Sequence, residues 1–261
     1  MTYIYPRIPG RHFGLFRIMG SGLANCLFVY ARAIAAAHKS GAKLITPTWF
    51  NINIGTYLRH QADKRHYLGL FNSKGEVCGL KKLFVLMFLR HKMQVEEGLG
   101  NYFRDLLDDT EIISSHIISH IKPKWRKPVE DYDFTGCVAI HIRLGDYTAD
   151  IRTPLEWYQQ KIEEKRAEGF SRFLIFSDGT DEELAELTKL EGVQRAFFGN
   201  AIADIYAISR CEYLIGSDST FSGWGAYLGQ VPCTFLRKHF GPVLKDASKE
   251  IVESSENRWG L

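Results

Sequence analysis

From Cys137 onward, apolar and polar positions alternate between two periods. Short apolar runs at 137–142, 172–176, 194–198, 212–216 and 232–236 read as buried strands. Between them, 154–168, 181–190, 202–209 and 220–228 repeat apolar residues at helical spacing. Thr153-Pro154 with Glu156, and Thr180 followed by Asp181, Glu182 and Glu183, place cap residues and acids where helices begin. Strands that alternate with helices predict a parallel sheet with right-handed crossovers, a Rossmann-like α/β domain. Ligands of such sheets bind beyond the carboxyl ends of the strands. The predicted loops there carry His141–Tyr147, Ser177-Asp178 and Ser217–Phe221.

The first 130 residues are less regular. Phe13–Ile18 reads as a strand, followed by the turn Gly20-Ser21-Gly22 and a helix from about Leu23 to Lys39. A second strand is expected at Lys43–Thr46, and 51–79 shows no period. Residues 80–97, with Leu80, Leu83, Phe84, Met87 and Phe88, read as one amphipathic helix carrying Lys81, Lys82, Arg90, His91 and Lys92. Such a helix either packs on the domain or lies on a membrane. Lys122–Pro128, with two prolines and four cations, reads as a linker. The expected division is an N-terminal domain over 1–130 and a C-terminal one over 131–261.

Composition narrows the function. A chain of 261 residues, 45% hydrophobic and 24% charged, can bury one large core or two small ones. A net charge of +3 suits an anionic small molecule and is too weak a field for nucleic acid, which is excluded as a partner. The five cysteines are odd in number, scattered and free of CxxC pairs, which reads as a reducing compartment. The amino terminus lacks the apolar segment of a signal peptide, and the longest uncharged apolar run, Leu83–Leu89, is too short to span a bilayer. A cytoplasmic protein is expected, with peripheral association at the inner membrane face compatible. No His/Cys/Asp/Glu cluster has metal-ligand spacing, so no metal is expected. The absence of GxSxG, GxxxxGK[ST] and DxD at a strand end speaks against hydrolase, P-loop and metal-dependent sugar-nucleotide chemistry.

The candidate chemistry sits in the predicted loops. His141 and Arg143, two apart on one strand, point to one face, and Gly145 lets the chain turn before Asp146. Arginine's planar fork fits phosphate oxygens, so this strand end suggests an anionic ligand such as a nucleotide diphosphate. Asp146 is a turn former, a partner of Arg143 or a weak candidate base. Ser217–Ser222 is either an ordinary helix cap or a phosphate grip built of hydroxyls and free amides. Asp178, after Ser177, either caps the next helix or accepts hydrogen bonds from a guanine or ribose. Gly22 is either a tight turn or a point of backbone approach to a ligand, with Asn25 one step inside the helix. Trp224–Leu228 reads as core.

Three segments, in order, resemble the α-1,2-fucosyltransferase family (glycosyltransferase family 11-like) within the wider group of α-1,2-, α-1,6- and protein O-fucosyltransferases. His141-Ile142-Arg143-Leu144-Gly145-Asp146-Tyr147 is similar to the family's HxRRGDY. Gly22–Ala31 is similar to GLGNQLFQYA, Ser217–Ala226 to SNSTFSWWGA, and Phe176-Ser177-Asp178 to FSDD. The resemblance implies a GT-B-like fold of two Rossmann-type domains facing a cleft, with GDP-fucose held mainly by the second. It implies inverting, metal-independent transfer to a hydroxyl, O2 of galactose, on a surface glycan such as an O-antigen or capsule unit. It implies no cofactor beyond the donor substrate. On this model Arg143 neutralises the leaving diphosphate, with Asp146 as the second catalytic candidate. Ser219, Thr220 and the Phe221 amide assist, His141, Ser177 and Asp178 hold the nucleotide, and Gly22 and Asn25 reach it across the cleft. Leu144 stands where the family has a second arginine. Asp218 replaces an asparagine and brings a negative charge toward the phosphates unless it is turned away or paired. The rival readings are a non-catalytic GDP-sugar or glycan-binding protein and a transferase of another GDP-sugar; oligomeric state is left open.

Overall fold

The computed structural model describes residues 1–53, 65–145, 147–148 and 150–254. The chain divides into two compact units, Met1–Lys124 and Trp125–Leu261.

Unit 1 is built on β1 (Tyr3–Pro6), whose four residues are all buried. It lies between two parallel neighbours, β4 (Lys43–Leu44) and β6 (Met93–Glu96), with Tyr3 opposite Lys43 on one side and Met93 on the other. β1 escapes a reading by periodicity because it is four residues long and ends on a proline. The strand expected at Phe13–Ile18 is a correction. Only Arg17–Ile18 (β3) pairs, antiparallel to β2 (Arg11–His12) and parallel to β5 (Asn51–Ile52). Gly14, at φ +77°, folds Phe13–Phe16 into a turn in which the two phenyl rings stack 5.1 Å apart. The expected first helix forms as α1 (Leu23–Ser40), buried on nearly every side and closed by Gly41 in the left-handed conformation, as helix ends often are. The single helix expected at 80–97 is a second correction. α2 (Gly79–Phe88) stops, a 3₁₀ turn covers Arg90–Lys92, and the chain re-enters the sheet as β6. The open edge of β1, four residues of ladder, outcompetes continued helix. α3 (Thr110–His120) packs on α1 and completes the unit.

Lys122–Pro128 is not a linker. Pro123 opens the helix α4 (Pro123–Glu130), a position where its missing N–H costs nothing, and buried Val129 anchors the turn that tolerates Pro128. The units divide inside this helix, six residues before the 130/131 boundary expected from sequence.

Unit 2 follows the expected alternation: β7 (Cys137–Ile142), α5 (Leu155–Ala167), β8 (Arg172–Ser177), α6 (Asp181–Thr188), β9 (Val193–Arg195), α7 (Ala201–Ile208), β10 (Tyr213–Gly216), α8 (Thr220–Gly229) and β11 (Cys233–Phe235). A last strand, β12 (Glu250–Val252), was not anticipated; it is three residues long and carries only two apolar positions. All six strands are parallel, in the spatial order β12-β11-β10-β7-β8-β9. Numbered along the chain this is 6-5-4-1-2-3, the doubly wound Rossmann order, and its direction reverses between β7 and β10. Val138, Ile140, Ile142 and Leu144 line one face of β7 and pack on Trp157, Tyr158 and Ile162 of α5. α7 and α8 touch closely because Gly225 carries no Cβ; one would lie 2.3 Å from Ile208 Cγ2.

Candidate active site

The crevice at the switch point is formed by the carboxyl ends of β7 and β10 and the loops that leave them. Strand alternation sends Ile142 and Leu144 into the core and His141 and Arg143 to the other face, as the two-residue spacing requires. His141 is buried. Its Nδ1 lies 2.6 Å from Ser222 Oγ and 2.9 Å from Ser217 Oγ, and its ring stacks on Phe221 with centroids 4.6 Å apart. Burial pushes its pKa down to about 3; Asp178 opposes this and Arg143 adds to it. The imidazole is therefore neutral at physiological pH, and the positive charge at this strand end is Arg143's.

Arg143 is held by Asp178. One carboxylate oxygen pairs with the guanidinium at 2.7 Å, and the other accepts the Leu144 amide at 2.8 Å. Gly145 passes so close that a Cβ there would lie 2.4 Å from the same carboxylate. The aspartate thus fixes both the backbone and the side chain of the 143–145 turn. It does not cap α6: Thr180 does, in a reciprocal capping box with Glu183. Ser177, at the end of β8, accepts the Gly179 amide on its hydroxyl at 3.0 Å. Tyr147 sets its ring 5.6 Å from the Arg143 guanidinium carbon and donates its hydroxyl to the Asp218 carbonyl at 3.0 Å. Asp146 lies outside the described residues.

Across the crevice, Ser219 is the N-cap of α8 and accepts the Phe221 amide on its hydroxyl, with Thr220 as the first helical residue. A helix amino terminus beside an arginine is suited to a phosphate. The buried Asp218 carboxylate accepts the His239 backbone amide at 3.0 Å and lies 2.6 Å from Nδ1 of the His239 ring, two contacts that tie it to the loop after β11. Leu144 does not face the crevice; it is buried in the β7 core.

The stretch Arg237-Lys238-His239, directly after the fifth expected strand, also meets these loops, though hydrophobic periodicity does not single it out. Arg237 is buried and donates to the Ile151 and Arg152 carbonyls at 3.0 and 2.9 Å, tying the loop after β7 to the loop after β11. Lys238 pairs with Glu250, and burial lowers its pKa to about 8. Three basic residues in a row at the carboxyl end of a central strand was the available signal.

Gly22 and Asn25 lie in unit 1. Gly22 is the N-cap of α1 at φ −62°, without side-chain capping, and a Cβ there would meet only the Tyr67 hydroxyl, at 3.9 Å. Neither conformation nor packing demands a glycine at this position. Gly20 differs: φ is +119°, and a Cβ would collide with the Pro9 carbonyl and buried Arg17. Asn25 sits in the first turn of α1.

Sequence spacing showed no metal-ligating cluster, yet folding brings Glu76, His116 and His120 together in unit 1. His116 Nε2 lies 3.1 Å from Glu76, and Thr46 and Tyr30 donate to the same carboxylate. The two ring nitrogens of His120 lie 2.7 and 2.9 Å from the His116 and Lys74 carbonyls. The cluster is a hydrogen-bonded network joining α1 to α3.

Residues 103–239, more than half of the chain, match the model of glycosyl transferase family 11. The chain belongs to this family. It is thereby a glycosyltransferase, and the matched region contains the whole β7–β10 crevice. Among solved structures, the fucosyltransferase NodZ from Bradyrhizobium aligns at 14% identity over 88% of this chain and 92% of its own, with a TM-score of 0.54. A NodZ α-1,6-fucosyltransferase co-crystallised with GDP aligns at 14% identity over 88% and 93%, with a TM-score of 0.51. At this identity the likeness concerns the fold, which is α/β and GT-B-like. No curated protein matches the chain. Among the described residues, no helix is long and apolar enough to cross a membrane.

Proposed function

We propose that the chain transfers fucose from GDP-fucose to a hydroxyl of a surface glycan, O2 of galactose. The observation that carries this reading is Arg143, the cation at the switch point of a Rossmann-ordered sheet, oriented by Asp178 beside the N-terminus of α8. Family membership supports a glycosyl transfer. In the reaction the acceptor oxygen attacks the anomeric carbon from the face opposite the diphosphate. The bond from that carbon to the β-phosphate oxygen breaks, and its electron pair leaves with GDP. Negative charge therefore grows on the diphosphate in the transition state, where a preplaced guanidinium and helix amides stabilise it more than in the ground state. Because Arg143 supplies the positive charge, the step needs no metal ion. The acceptor proton passes to a base, for which Asp146 is the candidate.

The test is transfer from radiolabelled GDP-fucose to a galactoside by the wild type and by Arg143→Ala, with EDTA in a parallel series. We expect transfer by the wild type, undiminished by EDTA, and a loss of about a hundredfold or more in the variant at unchanged thermal midpoint, the scale of removing one transition-state donor. GDP binding without transfer or donor hydrolysis would instead assign a binding protein. Near-normal turnover by Arg143→Ala would remove its role.

A further inference from the structure

α2 is turned inside out. Its solvent face carries Leu80, Phe84, Met87 and Phe88, spaced i, i+4, i+7 and i+8, one continuous stripe on a helix. Their exposures are 83%, 54%, 64% and 62%, four large apolar side chains open to solvent on one helix. The opposite face buries Val85 together with Lys82, a lysine, whose Nζ donates to the Thr46 carbonyl and Thr48 hydroxyl at 2.7 and 2.8 Å. Four of the helix's apolar residues thus face water while a cation is buried, the reverse of an ordinary surface helix. The adjoining turn extends the stripe: Phe13 and Leu15 are exposed, and Gly14 abuts Leu83 of α2.

The charge around the stripe is of one sign. Lys81, Arg90 and Lys92 are exposed, with His91 between the last two, and no acidic residue occurs between Glu76 and Glu96. On a helical projection Lys81 falls at the edge of the stripe, one step beyond Phe88. Exposed aromatic and aliphatic side chains rimmed by cations match a bilayer whose surface is anionic: rings enter the headgroup boundary while lysines and arginines meet lipid phosphates. A protein partner would need acidic residues around an apolar groove, whereas a membrane supplies both in any orientation.

We propose that this face of unit 1, α2 with the 13–16 turn and the 90–92 corner, docks the enzyme on an anionic lipid surface. The proposal goes beyond the donor reading and does not depend on it, since none of these residues belongs to the unit 2 crevice.

Flotation of the full chain with vesicles tests it, using an equal mixture of phosphatidylcholine and phosphatidylglycerol against pure phosphatidylcholine. The wild type is expected to float with the mixed vesicles and to be released by high salt, because contact between cations and a charged surface is screened. Each of Lys81→Gln, Arg90→Gln and Lys92→Gln should weaken partitioning about fivefold. Phe84→Ser/Phe88→Ser should weaken it about tenfold or more, as two partly inserted rings are lost. Thermal midpoints should hold, because all of these side chains are exposed. A wild type that stays with neither vesicle, or a Phe84→Ser/Phe88→Ser variant that floats normally, overturns the proposal. So does a dimer in sedimentation that Phe84→Ser dissociates without any vesicle binding, which would give the face to a second copy of the chain.

Discussion

Replacing Asp178 by asparagine asks whether the carboxylate positions Arg143 or competes with the substrate for it. The substitution keeps size and an acceptor for the Leu144 amide, now 2.8 Å away, while removing the charge 2.7 Å from the guanidinium. A hydrogen bond to a charged group contributes about 1.5–3 kcal/mol. The pair is only partly shielded, its side chains 31% and 20% exposed, so solvent screening reduces this to about 1–2 kcal/mol. If that energy holds the guanidinium where charge develops, kcat/KM falls by about five- to thirtyfold. The loss should lie mainly in kcat, because a misplaced group costs most in the transition state. Steady-state fucosyl transfer with varied donor gives kcat and KM, and calorimetric titration with GDP gives ground-state affinity. Unchanged kinetics would refute the positioning role. Tighter GDP binding with raised turnover would show that Asp178 competes with the diphosphate for Arg143.

Other outcomes follow from the same geometry. His141→Gln should flatten part of the acid limb of stability. The folded pKa of about 3 lies below the unfolded value near 6.5, so the unfolded chain binds the extra proton. The stability due to His141 is complete above about pH 6.5 and declines toward pH 3 by about 1.4 kcal/mol per pH unit; urea titrations of both proteins across that window measure the difference. Leu144→Arg, which restores the second arginine of the fucosyltransferase pattern, should destabilise by about 3–5 kcal/mol rather than raise activity, because the position is buried among Ile142, Trp157 and Tyr158. A thermal midpoint within a degree of wild type would contradict that packing. Gly22→Ala should leave the midpoint unchanged or slightly higher, since its φ is −62° and its surroundings are open. A large midpoint loss would refute this reading, whereas an activity loss without one marks a substrate contact.

Legibility differed sharply between the units. In unit 2 the interior strands β7, β8, β10 and β11 announce themselves by apolar runs and each helix by its period, because an interior parallel strand is buried on both faces and its crossover helix on one, whereas the edge strand β9, Val-Gln-Arg, does not. The cap at Thr180 and the packing of Trp224 were equally readable, since both depend on near neighbours in sequence. Unit 1 hid its organising strand. Tyr3–Pro6 is too short to show a period, and whether Met93–Glu96 continues a helix or joins a sheet depends on the edge of β1, about ninety residues away.

For the crevice, sequence alone determined which residues lie at the carboxyl ends of the strands, and hence that Arg143 and the Ser219 cap stand there. Parity along β7 also determined that His141 and Arg143 share a face. Only the tertiary structure decided what each group touches. Asp178 pairs with Arg143 instead of capping the next helix, His141 lost its charge through burial, and Asp218 found its partner in His239, twenty-one residues on. The reason is one of range. Periodicity, propensity and capping act over a few residues and are written locally, whereas desolvation and ion pairing depend on which distant segments fill the space around a group.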